Sequence, residues 1–258
     1  GTGGDGLGTF NVSTAAALVT AAAGVPVAKH GNRAVTSKCG SADVLMALGV
    51  NIEAEPEVVE ECLREAGIGF LFAPRLHPAM KNVVSVRREL GVRTIFNMLG
   101  PLTNPAGARA QLLGVFAPEL TEPLARVLRD LGSRRALVVH GNDGMDEITV
   151  TDTTRISELR DGRIRTYDFD PLPFIGEYYN LEELRGGAPE NNARLIENIL
   201  TGAPGAARAI VTLNAAAGIL VGGDDDDWHA AWSRAEAALD SGRARETLRK
   251  LVETTTAG

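Results

Sequence analysis

The sequence predicts an α/β fold of the βαβ type with a largely parallel sheet. Short apolar runs alternate with helical runs, Gly and Pro mark the turns between them, and 258 residues at 44% hydrophobic and 23% charged are enough to bury a sizeable core. The elements follow in order. A helix over 14–23 opens behind Ser13, and 26–29 is a short strand. A helix over 41–48 is expected to be capped by Ser41 and closed by Gly49. Residues 56–66 form an amphipathic helix, 68–72 a buried strand, and 77–90 a further helix ended by Gly91. The run Ala136-Leu137-Val138-Val139-His140 predicts a strong strand and 148–150 a short one. Helices are expected at 191–200 and 229–239, with a strand at 209–213 between them.

Composition excludes several function classes. A net charge of −7 argues against a partner nucleic acid or an anionic membrane surface, so any anionic ligand must be held by local groups. Cys39 and Cys62 stand apart with no CxxC or Cys/His spacing, which supports neither a disulfide framework nor a zinc site and suits a reducing cytoplasm. The apolar stretch 15–23 is too short to cross a bilayer, and no basic segment precedes an apolar leader. The chain opens on a dense glycine motif rather than Met, from which an N-terminal part is expected to be missing. The acidic run Asp224 to Asp227 is read as solvated carboxylates before a helix, and Trp228 and Trp232 as packing.

Three constellations carry chemistry. The first is Gly1-Thr2-Gly3-Gly4-Asp5-Gly6 followed by Thr9-Phe10-Asn11-Val12-Ser13-Thr14 and an Ala-rich helix. Glycines let backbone N–H groups approach an anion, and hydroxyls at a helix start add donors where the macrodipole is positive. Glycine loops are common in turns, but the acid inside this one and the Asn-x-Ser-Thr at the helix entrance sharpen a phosphate-cradle reading. No Gly-Lys-Ser/Thr closes it, so it is not a Walker A loop. The second is Lys29-His30-Gly31-Asn32-Arg33 with Thr36-Ser37-Lys38 and Ser41, a cationic and hydroxyl-rich loop after an apolar strand, where α/β proteins place ligands. The third is His140-Gly141-Asn142-Asp143-Gly144-Met145-Asp146-Glu147. Asn142-Asp143-Gly144 makes a turn, with Asp143 structural, and Asp146-Glu147 offers hard oxygen ligands of the kind Mg²⁺ accepts. Taken alone, such an acidic pair is a surface feature more often than not.

In this order the segments GTGGDG, TFNVST, KHGNRAVTSKCGSADVL, FAPRLHPAMK, VRRELGVRTIFNMLGPLTNPA and HGNDGMDE resemble the anthranilate phosphoribosyltransferases. The resemblance extends through Asn214-Ala215-Ala216 and Asp240-Ser241-Gly242, so it covers essentially the whole chain. It implies a nucleoside phosphorylase/phosphoribosyltransferase-type catalytic domain, α/β, with a mixed, mostly parallel sheet flanked by helices, over 1–258. It also implies that the family's N-terminal helical segment is absent here. The implied reaction transfers 5-phosphoribosyl from 5-phosphoribosyl pyrophosphate (PRPP) to anthranilate, giving N-(5-phosphoribosyl)anthranilate and pyrophosphate in tryptophan biosynthesis. Mg²⁺ is the implied cofactor, and a homodimer the implied state of the complete protein.

The resemblance further implies a PRPP cradle of Gly1, Gly4, Asp5, Thr9, Asn11, Val12, Ser13 and Thr14. A phosphoribosyl loop of Lys29, His30, Gly31, Asn32, Arg33, Ala34, Val35, Thr36 and Ser37 follows, with Ser41 also touching PRPP. Lys29, His30 and Arg87 are the implied catalytic residues, with Arg87 receiving the anthranilate carboxylate. Gly1 and Asn32 also contact anthranilate, and His30, Pro74 and Met80 border its channel. Ser13, Asp146 and Glu147 are the implied metal ligands. Competing readings are a pyrimidine nucleoside phosphorylase on a related fold, a nucleic-acid-binding homologue, and a PRPP-binding fragment without turnover. The phosphorylase signature is not visible, and an acidic balance opposes nucleic acid.

Overall fold

The run Arg135–Gly141 is apolar without alternation because β4 is buried on both faces: Leu137 and Val139 enter the main core, while Ala136 and Val138 enter a second, smaller one. The structure, a computed structural model, describes residues 1–34, 38–77, 95–223 and 227–257. Within them, α1 (Val12–Ala22) leads into β1 (Val27–Gly31), followed by α2 (Ser41–Ala47), α3 (Pro56–Glu65) and β2 (Ile68–Phe72). After one helical turn at Ala73–Leu76 come α4 (Phe96–Leu102), β3 (Ala110–Gly114), α5 (Thr121–Asp130) and β4. The strands β5 (Thr154–Arg160) and β6 (Arg163–Phe169) form a hairpin, and α6 (Pro189–Leu200), α7 (Ala206–Gly222), α8 (Trp228–Asp240) and α9 (Arg243–Thr256) complete the chain.

Among the described residues, β1 and β2 pair in parallel, and β3-β4-β5-β6 form a second sheet. In that sheet β3 and β4 are parallel, joined by α5 as a βαβ unit, and β4, β5 and β6 are antiparallel. The four-stranded sheet is therefore mixed, its antiparallel share supplied by the β5-β6 hairpin and its pairing to β4, while the two-stranded sheet is parallel. The smaller core, built from Leu113, Val115, Leu124, Leu128, Val138 and Leu159, lies where α5 packs on β4 and β5.

The main core centres on α1 and α7, which pack on each other and are buried almost all round. Both are rich in Ala, and α7 adds Gly218, so their backbones approach closely; a Cβ on Gly218 would come within 2.6 Å of Thr20 Oγ1. The strand expected at 209–213 is instead the middle of α7. A β-branched apolar run looks like a buried strand, and a helix apolar on every side offers no periodicity to correct it. Residues 148–150 are likewise not a strand; they follow the acidic turn after β4. The cap of α2 is Gly40, with Asp43 Oδ2 accepting the Gly40 amide at 2.8 Å, rather than Ser41. The helix expected at 77–90 lies outside the described residues beyond His77.

Candidate active site

The first five residues lie across the carboxyl ends of β3 and β4, the side of a parallel pair where α/β proteins place ligands. Gly3, Gly4 and Gly6 have φ of 61°, 83° and 78°, left-handed geometry that a side chain would strain. Thr2 N donates to Gly114 O at 2.8 Å, and Thr2 Oγ1 accepts from Phe116 N at 3.1 Å, so the loop is sewn to the end of β3. Gly3 N donates to Asp146 Oδ2 at 2.8 Å, which brings the glycine loop onto the acidic turn. Gly114 permits this approach, since a Cβ there would overlap the Asp146 carbonyl.

Two clamps hold that turn. Asp143 accepts from Met145 N at 3.1 Å, from Thr149 Oγ1 at 2.6 Å and from Thr151 Oγ1, the structural role its Asn-Asp-Gly context predicts. Downstream, buried Asn214 of α7 grips both sides of Ile148, accepting from its N at 3.0 Å and donating to its O at 2.8 Å. Between the clamps, Asp146 and Glu147 meet Asp5. Burial, and after it the charge of Asp146, pushes the Glu147 carboxyl up to about 7. The same two causes raise Asp5, which also accepts from Leu7 N at 3.2 Å. Lys29 sits opposite: burial lowers its pKa, Glu147 counters this, and its Nζ donates to Ser13 Oγ at 3.1 Å.

Ser13 and Thr14 stand in the first turn of α1, and the Thr14 hydroxyl, 1% exposed, has no hydrogen-bond partner. The second loop folds beside it. Asn32 O accepts from Ala42 N at 3.1 Å and Ser41 Oγ at 3.3 Å, and Asp43 Oδ2 takes Ala34 N at 2.8 Å. Arg33 turns outward to Glu53 at 3.7 Å and lies 5.8 Å from the Phe72 ring centre. His30 Nδ1 pairs with Gly100 O at 3.1 Å, its ring meets His77 edge-on at 5.1 Å, and Nε2 of each ring is buried without a partner. Burial lowers the His30 pKa.

The structure thus gathers Gly1, Gly3, Asp5, Ser13, Lys29, Asp146 and Glu147 in one place, with Asn32 and Ser41 beside the adjoining loop and Asn11, at the start of α1, bonded to that loop through Cys39 O. Thr9 makes a bridge to Arg185, and Gly31 closes β1. Val35, Thr36, Ser37, Met80 and Arg87 lie outside the described residues. The sequence did not single out His77, Asn192 or Asn214. The last is a polar residue inside an apolar helical run, which is a usable signal; the others depend on partners far along the chain.

Among the described residues no helix is long and apolar enough to cross a membrane. Residues 1–245 match the model of the glycosyl transferase family, a/b domain. The chain is 56% identical to the anthranilate phosphoribosyltransferase of Desulfosudis oleivorans over 256 residues, covering 99% of this chain and 76% of that protein. It is 55% identical to that of Syntrophobacter fumaroxidans, covering 99% and 76%. The crystal structure of the Thermus thermophilus anthranilate phosphoribosyltransferase superposes with a TM-score of 0.91 at 49% identity, covering 98% of this chain and 76% of that one. The Saccharomyces cerevisiae enzyme in complex with PRPP and Mg superposes with a TM-score of 0.89 at 29% identity, covering 100% and 72%. With the family model matching nearly the whole of the chain and relatives above half identity, the chain belongs to the anthranilate phosphoribosyltransferases.

Proposed function

We propose that the site between the glycine loop, the first turn of α1 and the Asp146-Glu147 turn takes PRPP and Mg²⁺, and that the phosphoribosyl group passes from it to anthranilate. The observation that carries this is the Gly3 N to Asp146 Oδ2 bond, which seats a phosphate-type cradle directly on a carboxylate cluster. Two needs of the group meet there. A half-buried cluster of Asp5, Asp146 and Glu147, with Glu147 held near 7, is short of positive charge and offers the hard oxygen donors that Mg²⁺ prefers. Ser13 Oγ spends one lone pair on Lys29 and keeps another for a ligand. Ser13, Asp146 and Glu147 would hold the ion, which when bound neutralises pyrophosphate as it leaves.

The remaining work belongs to the chain. Backbone N–H groups of the loop and the hydroxyls of Ser13 and Thr14 bind phosphate oxygens, Thr14 gaining the partner it lacks. Lys29 places a cation beside the departing group, where charge builds in the transition state. Asn32, the His30 ring and Pro74 border the acceptor, and Arg87 holds its carboxylate so that the aniline nitrogen meets the ribose C1 from the face opposite the leaving pyrophosphate. Gly1, Gly4, Asp5, Thr9, Asn11, Val12, Gly31, Arg33, Ala34 and the residues 35–37 and 41 complete the PRPP shell in this reading. The attacking amine loses its proton after bond formation, so no strong base is required of the site. We further place the enzyme in the cytoplasm, acting as a homodimer in its complete form.

The test is to mix the protein with PRPP, Mg²⁺ and anthranilate and follow anthranilate fluorescence. Loss of signal that needs all three and saturates in PRPP is expected; no PRPP-dependent loss at any Mg²⁺ concentration would overturn the reading.

A further inference from the structure

Asn11 occupies the N-cap position of α1 and belongs to the residue class that caps helices best, yet its side chain makes no capping bond. Of the usual targets of such a cap, the Thr14 amide donates instead to the Asn11 main-chain carbonyl at 3.1 Å, and the Ser13 amide receives nothing from the Asn11 side chain. The side chain is held elsewhere by a directional relay. Gly187 N donates to Asn192 Oδ1 at 2.7 Å, Asn192 Nδ2 donates to Asn11 Oδ1 at 2.9 Å, and Asn11 Nδ2 donates to Cys39 O at 3.1 Å. A main-chain donor at one end and a main-chain acceptor at the other fix the orientation of both amides. Asn192, on α6, is 3% exposed and lies outside every substrate loop.

We infer that Asn192 is a positioning residue for PRPP: by holding Asn11 away from its own helix and onto the Cys39 carbonyl, it keeps the first turn of α1 open for the substrate's phosphates. The same relay locks the start of α1 to the loop that follows β1, so these two parts of the cradle keep their spacing. Without Asn192, Asn11 Oδ1 is free to swing onto the Ser13 amide, as an ordinary N-cap does. The helix would then be better capped and the cradle worse. This inference rests on the proposed placement of PRPP, and it predicts an unusual pairing of weaker substrate binding with undiminished local helix stability.

The experiment compares the parent protein with Asn192→Ala and Asn192→Asp. The Ala variant removes the relay. The Asp variant still accepts from Gly187 N but cannot donate to Asn11 Oδ1, so it preserves the α6 contact and should fold wherever the Ala variant does not. The PRPP KM is expected to rise about tenfold in both, the size of one well-placed hydrogen bond, with the anthranilate KM within about twofold of the parent. Amide hydrogen exchange at Ser13 is expected to be slower in the Ala variant than in the parent. An unchanged PRPP KM in the Asp variant, or KM values for both substrates rising together with faster exchange throughout α1, would overturn the role of Asn192. A parent protein that never saturates with PRPP would instead overturn the substrate placement itself, so the two failures are distinct.

Discussion

The starts of α1 and α8 show how differently two helices of this chain treat the same physics. Each begins behind a residue suited to capping. At α8, Asp227 does cap, accepting from His229 N at 3.3 Å and Ala230 N at 3.1 Å, and the helix packs Trp228 and Trp232 against Phe169 and Phe174. At α1, Asn11 is diverted, Thr14 keeps an unpartnered hydroxyl, and the charged groups Lys29 and Glu147 crowd one place with their ionisation disfavoured by burial. The first arrangement is optimised for the folded chain; the second withholds stabilising contacts that a ligand can complete. A stability deficit at one helix start and not the other therefore locates function.

The largest expected effect comes from removing charge on the substrate side. Changing Asp146→Asn together with Glu147→Gln should lower the Mg²⁺-dependent rate by about a hundredfold or more, because the groups proposed to hold the ion lose their charge. Thermal stability should hold or rise as carboxylate repulsion is relieved. Initial rates across a Mg²⁺ titration, beside a melting curve, check both halves; an unchanged Mg²⁺ requirement would break the contrast between the two regions. Next, Arg87→Ala should raise the anthranilate KM by roughly ten- to a hundredfold while the PRPP KM stays put, with Arg87→Lys recovering only part because an ammonium lacks the planar fork. Equal anthranilate KM values in all three proteins would remove Arg87 from the site. At α8, Asp227→Ala should cost about 1 kcal/mol and lower the melting temperature by roughly 2–4 °C with both KM values unmoved. A change in either KM would show that the solvent-side helix is coupled to the cradle.

What could be read from sequence follows the same division. The strands at 68–72 and 135–141 announce themselves as bounded apolar runs, the one at 27–31 only by its first two residues, and the loop chemistry announces itself by residue types that no core needs. The hairpin of β5 and β6 was also legible and was not anticipated: Asp161-Gly162, with φ of 49° and 77°, joins two runs as a tight reversal of the kind that Asp-Gly favours. The centre of α7 was not legible, because a helix buried on all sides has no polar face to set its period. The residues of the proposed phosphate cradle are legible because they are contiguous. Asn192 was not, because its meaning lies in a contact with a residue 181 positions away, and nothing about an asparagine in a helix foretells that partner.

The smallest expected effect is a pH dependence, and it turns on Glu147. Its carboxyl is raised from 4.5 to about 7, first by burial and then by the neighbouring Asp146 charge, so the folded, metal-free protein prefers it protonated. A raised folded-state pKa contributes stability that is fully present below about 4.5 and is lost as pH climbs through about 7. In the presence of a chelator, the melting temperature should therefore fall by a few degrees from the acid to the alkaline side of that window. Mg²⁺ acts in the opposite sense: binding needs the carboxylate, so the stabilisation gained on adding the ion should grow with pH over the same range. Glu147→Gln has no proton to lose, so it should flatten the chelated profile and shrink the Mg²⁺ increment together. Melting curves of the two proteins from pH 5 to pH 8.5, with chelator and with Mg²⁺, measure all four quantities. Parallel profiles for parent and variant would show that the carboxylate crowding around Glu147 is relieved within the protein, and that the α1 side of the molecule is no more strained than the α8 side.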